Sequence, residues 1–304
     1  MNNPFITKKS INRIYRPIQK NLYSHKFFED LSTGFSFILS EKNEKNDFFA
    51  FEPSGCVAER LLGRKNYHDF NARIEQTINM VMYSLLAYGR AHIYLQPQYV
   101  SQVLDEDKKM PTDKIFSTLD IVEIKGRIKR KIGNRCIFYC KEFNGEITER
   151  ELSADGLISL YIKELGYSKK YFPNLLKKLG KCEVIDLRLM YDEQVKGYDY
   201  LIHSKKKRCI FLKKTKSIGW TFGNNDLSDS YILYRKILQD KFKIKALEYI
   251  LNKINEGLSI CIHNEDPGKL IAHIRKLNYD DIWRQYLFGE ITATKLTNIL
   301  FKKY

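Results

Sequence analysis

The sequence predicts an α+β protein: a sheet-containing body, a long helix after it, and a small helical C-terminal region. Three observations carry this reading. Residues 119–162 hold short β-type runs separated by glycine turns. Residues 69–87 and 228–256 repeat apolar residues at the i, i+3, i+4 rhythm of amphipathic helices. Beyond residue 258 the helical signals come in short pieces. The expected division is a basic arm at 1–26, the body at 27–225, the long helix at 226–258 and a helical subdomain at 259–304.

The arm carries Lys8, Lys9, Arg13, Arg16, Lys20 and Lys26, and Arg16-Pro17 interrupts any helix within it. It reads as a phosphate-binding tail, a partner-binding arm or a loosely ordered terminus. The apolar pieces at 33–39 and 47–51 flank a polar turn; they pair as a hairpin, or the first ends a helix. Pro53-Ser54-Gly55 marks a break, and Val57 to Leu62 a short helix. Asp69 caps a helix running to Ala87. Gly89 breaks it, and Arg90 to Leu95 returns as a strand that stops before Gln96-Pro97. Met80 and Met82 belong to the core of this unit.

After the central stretch, Asn144-Gly145 is a turn, with strands expected at 146–152 and 156–162. Pro173 opens a helix through Leu179. Val184 to Met190 and Cys209 to Leu212 read as strands, the second with basic ends. Trp220, in a glycine-rich loop, is a packed anchor. Ser228 or Asp229 caps the long helix and Gly257 ends it. Its apolar stripe is core or a subunit interface. Helices at 267–277, 280–288 and 292–302 complete the chain.

Net charge is +16, from 52 Lys and Arg against 36 Asp and Glu. A surplus of this size points to a polyanionic partner, a basic interface or simple solubility. DNA or RNA leads because 20 Tyr and 18 Phe lie among the basic residues. The candidate contacts are Lys8, Lys9, Arg13, Arg16, Arg127, Lys129, Arg130, Lys131, Lys205, Lys206, Lys207, Arg208, Lys213, Lys214 and Lys216. For the cluster around 205–216, an edge strand protected by lysines is an equal reading.

Cysteines at 56, 136, 140, 182, 209 and 261 form no CxxC pair, and the six histidines are dispersed. Reduced thiols and no resident metal or other cofactor are expected. No run approaches the length of a membrane span and no apolar signal core follows the charged start, so a cytoplasmic location and no membrane partner are expected.

Leu119 to Phe143 holds the one spacing that suggests catalysis. On a strand, Glu123 and Lys125 share a face opposite Val122 and Ile124, which point to the core. With Asp113 upstream, the pattern resembles restriction-endonuclease-like nucleases. In those, two carboxylates hold Mg²⁺ and a lysine steadies the attacking water. The plain alternative is an amphipathic strand. Asp113 sits in a turn-like Met-Pro-Thr-Asp-Lys, and Gly133-Asn134 predicts a hairpin where those nucleases continue into a helix.

Residues 70–162 also resemble the core of tailed-phage portal proteins. The matching pieces are Ser84-Leu-Leu-Ala-Tyr-Gly-Arg-Ala-His-Ile-Tyr-Leu, the strands through Ile121 to Tyr139, the Asn144-Gly145 turn and Leu152-Ser-Ala-Asp-Gly-Leu-Ile-Ser-Leu. The resemblance implies a ring-forming homo-oligomer that contacts DNA without cutting it, and carries over no catalytic residue. The function expected is therefore a non-enzymatic, nucleic-acid-associated binding or assembly protein of phage or mobile-element character. The alternatives are the metal-dependent nuclease and an adaptor for an acidic protein partner.

Overall fold

The computed structural model describes residues 22–33, 35, 38–39, 48–63, 70–99, 116–124, 126–141, 147–182, 209, 212–220, 228–262 and 266–301. The class is α+β: helices pack with three small antiparallel sheets. In chain order the elements are α1 (Leu22–Ser32), β1 (Phe49–Glu52), α2 (Val57–Gly63), α3 (Phe70–Tyr88), β2 (Arg90–Tyr99) and β3 (Phe116–Glu123). Next come β4 (Gly126–Ile132), β5 (Arg135–Lys141), β6 (Ile147–Ser153) and β7 (Leu157–Tyr161). A 3₁₀ turn at Ile162–Leu165 leads to α4 (Tyr171–Cys182). The chain ends with α5 (Asp229–Cys261), β8 (Lys269–Ala272), α6 (Tyr279–Leu287) and α7 (Ala293–Phe301).

Helix α3 forms where the periodicity places it, and buries Ile74, Ile78, Val81, Met82, Leu85 and Leu86. Gly89 ends it at φ +72, a backbone that glycine adopts at no steric cost. The chain reverses into β2, the middle strand of the sheet β3-β2-β7. Ala91, Ile93 and Leu95 alternate into the main core, as do Ile158 and Leu160 of β7. Strand β2 runs past Leu95 and through Pro97. Only β3 pairs with it there, because β7 covers residues 90–94. A proline lacking its N–H is tolerated at such a half-open position.

Between β3 and β7 the chain builds the meander β4-β5-β6, turning at Gly133-Asn134 as expected. Its buried Cys136 and Phe138 pack with Ile124, Ile128, Leu152 and Leu157. Phe138 meets His92 edge-on, with ring centroids 5.7 Å apart. The meander therefore covers the face of the first sheet that the helices leave.

Helix α5 spans 33 residues, and Ser228 caps it by accepting the Tyr231 N–H. Its stripe is core: Phe242, Ala246, Leu247, Ile250, Leu251, Ile254 and Leu258 join the main cluster, and Leu233 and Ile237 a second one under α6 and α7. Gly257 does not end this helix. It lies within it, facing Ile158, where an added Cβ would stand 2.4 Å from Cδ1. Glycine is there for close approach. Gly257→Val is therefore expected to cost about 1–3 kcal/mol by overpacking, more than the ~1 kcal/mol a helix gains at most from losing a glycine. A urea midpoint that stays level or rises would refute this.

Three further expectations change. Among the described residues the 33–39 and 47–51 pieces do not pair with each other. β1 pairs with β8, and Leu39 bridges to Ile274, so both meet one C-terminal segment. The helix expected at 267–277 is accordingly the strand β8 and its extension. Leu212–Lys214 is a helical turn rather than the end of a strand. The expectations at 144–145 and 184–190, and the Asp69 cap, fall outside the described residues. No helix among the described residues is long and apolar enough to cross a membrane.

Candidate nucleic-acid interface

Of the sequence-predicted basic residues, Lys131, Lys213, Lys214 and Lys216 are described with their side chains, and all four are exposed. Arg127, Lys129 and Arg130 lie on β4, where the backbone is described. Lys8, Lys9, Arg13, Arg16, Lys205, Lys206, Lys207 and Arg208 lie outside the described residues.

The three lysines at 213–216 stand on a segment pinned from beneath. Thr215, Ile218 and Trp220 are buried while Lys213, Lys214 and Lys216 are exposed. The Thr215 carbonyl accepts the N–H groups of Ile218 and Gly219. Trp220 donates Nε1–H to Asp30 at 2.8 Å and meets Phe27 edge-on. The Arg235 guanidinium, 1 % exposed, donates to the carbonyls of Trp220 and Leu212 and to the hydroxyls of Thr215 and Tyr231. Gly219 at φ +79 passes so close that an added Cβ would stand 1.9 Å from the Arg235 carbonyl oxygen.

Helix α4 brings a second basic segment to the same place. Tyr171 donates its hydroxyl to the Lys214 carbonyl at 2.9 Å and lies 3.4 Å from the Ser217 hydroxyl. Lys169 and Lys170, immediately before that tyrosine, are exposed. Five lysines from two distant parts of the chain thus share one corner. No carboxylate among the described residues forms an ion pair with any of them. Sequence reading did not single out Lys169 and Lys170 as site residues. Their signal was the basic character of 163–181; the contact that joins them to Lys214 spans 43 positions.

The nuclease pattern is placed only in part. Asp113 and Lys125 fall outside the described residues. Glu123 does not face water with Val122 pointing inward: Leu119 is buried, Ile121 packs on the main core, and Val122 is exposed. The inward face of β3 is the odd-numbered one. Glu123 accepts a short hydrogen bond, 2.5 Å, from the buried Ser84 hydroxyl on α3, and its charge helps hold the phenols of Tyr83 and Tyr88 above their ordinary range, after burial. Among the described residues no group of three His, Cys, Asp or Glu side chains is placed to hold a metal.

One further pair has the look of chemistry. His92 Nδ1 lies 2.9 Å from the Ser159 hydroxyl across the β2–β7 ladder. Burial first, then the charges of Arg90 and Lys131, push the imidazole down to about 4. A base of that strength is far from the neutral value that general-base work needs, so the pair is a cross-strand hydrogen bond under Phe138. No family model matches the chain, and no curated protein matches it either.

Proposed function

We propose that this is a non-enzymatic, nucleic-acid-associated binding or assembly protein. One observation supports it above the rest: five exposed lysines, gathered from 169–170 and 213–216, stand on a rigid corner without carboxylate partners among the described residues. Gathering like charges costs electrostatic free energy, and a polyanion offsets that cost by releasing its condensed counterions. The net charge of +16 adds long-range attraction in the same direction. The sequence resemblance of residues 70–162 to the portal core supports the assembly half of this reading, whose specific form is DNA within a ring of copies.

Fluorescence anisotropy with labelled duplex DNA and with RNA tests the binding. Affinity is expected to fall steeply as salt rises from 50 to 200 mM, by about 10³-fold or more if six or more phosphates are contacted. Binding that ignores salt, or no binding in low salt, rejects the reading. Light scattering tests the ring: a strict monomer at high concentration removes it and leaves simple binding.

A further inference from the structure

We infer that the lysine corner grips the phosphate backbone alone, so that nucleic acid is held there without regard to base sequence. This rests on the nucleic-acid reading above. It is carried by which groups at the corner are free to act. All five cations are lysines, compact point charges on flexible stems, which suit single phosphate oxygens. Sequence is read instead by groups matched to base edges, such as the arginine fork on guanine or an Asn or Gln amide on adenine.

Among the described residues stacking is also closed off. Single-strand binders without sequence preference hold bases against aromatic faces. The tyrosines nearest the lysines are already engaged. Tyr171 packs on Tyr167 and on Phe172, and Tyr167 on Phe172, each pair with centroids 5.1 Å apart. The Tyr171 hydroxyl is committed to the Lys214 carbonyl. These rings brace the corner. The exposed amide to consider is Asn174, one helical turn beyond Lys170 on α4, and it provides a control.

The experiment uses the full chain and anisotropy titrations over a salt series, with four probes: two 20-base-pair duplexes of unrelated sequence, the matching single strand, and vesicles containing phosphatidylserine. Wild type is expected to bind the two duplexes within about twofold of each other, since a surface that reads bases changes affinity by about fivefold or more per altered base pair. Changing Lys169, Lys170, Lys213, Lys214 and Lys216 together to Gln is expected to lower the slope of log affinity against log salt by about 4.5, near 0.9 per lost phosphate contact. The same five changed to Arg keep the charge and the slope. Asn174→Ala leaves the ratio between the two duplexes unchanged.

Wild type that binds no nucleic acid overturns the inference together with the reading beneath it. Salt-dependent binding with an unchanged slope in the folded Gln variant overturns the inference alone, and so does a strong preference between the two duplexes. Binding to the vesicles in preference to both nucleic acids overturns nucleic acid as the occupant.

Discussion

Replacing Arg235 by methionine is expected to destabilise the protein by about 3–5 kcal/mol, and to weaken polyanion binding as well. The guanidinium is 1 % exposed and no carboxylate among the described residues pairs with it. Its charge is held entirely by neutral oxygens: two carbonyls and two hydroxyls. Methionine keeps most of the apolar stem, so packing loss is small. What is lost is the donor set. The Trp220 and Leu212 carbonyls and the Thr215 hydroxyl each lose a charged donor; Thr215 still donates to the Trp220 carbonyl, and a hydrogen bond to a charged group contributes about 1.5–3 kcal/mol. Those same groups hold the segment that carries Lys213, Lys214 and Lys216. Hydrogen exchange at Ile218 and Gly219, whose amides bond to Thr215, is expected to accelerate beyond the global change. A stability loss under 1 kcal/mol would show that Arg235 is not the pin.

How far all this was legible in the sequence depends on whether the deciding contact is local. Helix α3 was, because its stripe at 74, 78, 81, 82, 85 and 86 makes one face without outside help. So was the Gly133-Asn134 hairpin, whose two-residue turn places Gly133 at φ +52, a backbone that glycine adopts freely. The role of Trp220 followed from its size and its loop.

The misses share a cause. Four apolar residues at 209–212 fit a strand or a helical turn equally, and Arg235 on a distant helix settles the segment that follows. β8 looked helical because its strand partner, β1, lies some 220 positions earlier. Gly257 looked like a stop, but Ile158 on β7 determines why it is glycine. On β3 both faces carry apolar residues, Leu119 and Ile121 on one, Val122 and Ile124 on the other. Alternation alone could not choose the inward one. For the candidate site, Lys213 to Lys216 were readable as charge, whereas the joining of Lys169 and Lys170 to them was not.

The other large effect is expected where α5 meets α1 and the C-terminal helices. Asp240 is 1 % exposed and pairs with Lys236 at 2.5 Å. Lys243, also buried, donates to the Thr33 carbonyl at 2.7 Å and lies over the Phe35 ring. Arg275 reaches the Ile299 carbonyl on α7, and its charge acts on Asp240. Burial is the main influence on both acid and base: it raises the Asp240 carboxyl against the pull of Lys236, Lys243 and Arg275, and it lowers Lys243 to about 8, with Lys236 adding to the fall and Asp240 and Asp30 opposing it. Asp240→Ala removes the anion that three cations share. Removing one partner of a buried pair costs about 3–5 kcal/mol, and that is the loss expected.

Lys243 gives this cluster a pH signature. Its folded value, about 8, is below the 10.5 of the exposed side chain, so between these values the unfolded chain binds more protons than the folded one. Stability must therefore rise with pH across that window and fall as pH drops through it. At about 1.4 kcal/mol per unit the whole rise is about 3 kcal/mol. Above pH 10 the buried Tyr279 phenol, raised by burial and by Asp240, opposes it, because the unfolded tyrosine ionises first. The Cys261 thiol, pushed from 9 up to about 11 by burial and then by Asp155, opposes the rise from pH 9 in the same way, so the clean interval is pH 8 to 9. Urea melts across it should show wild type gaining stability and Lys243→Met gaining much less. In Asp240→Asn, which takes away an attraction that favours the charged lysine, the rise should begin at lower pH. A wild-type curve that is flat or falling between pH 8 and 9 would mean that Lys243 is not buried as a cation at this junction.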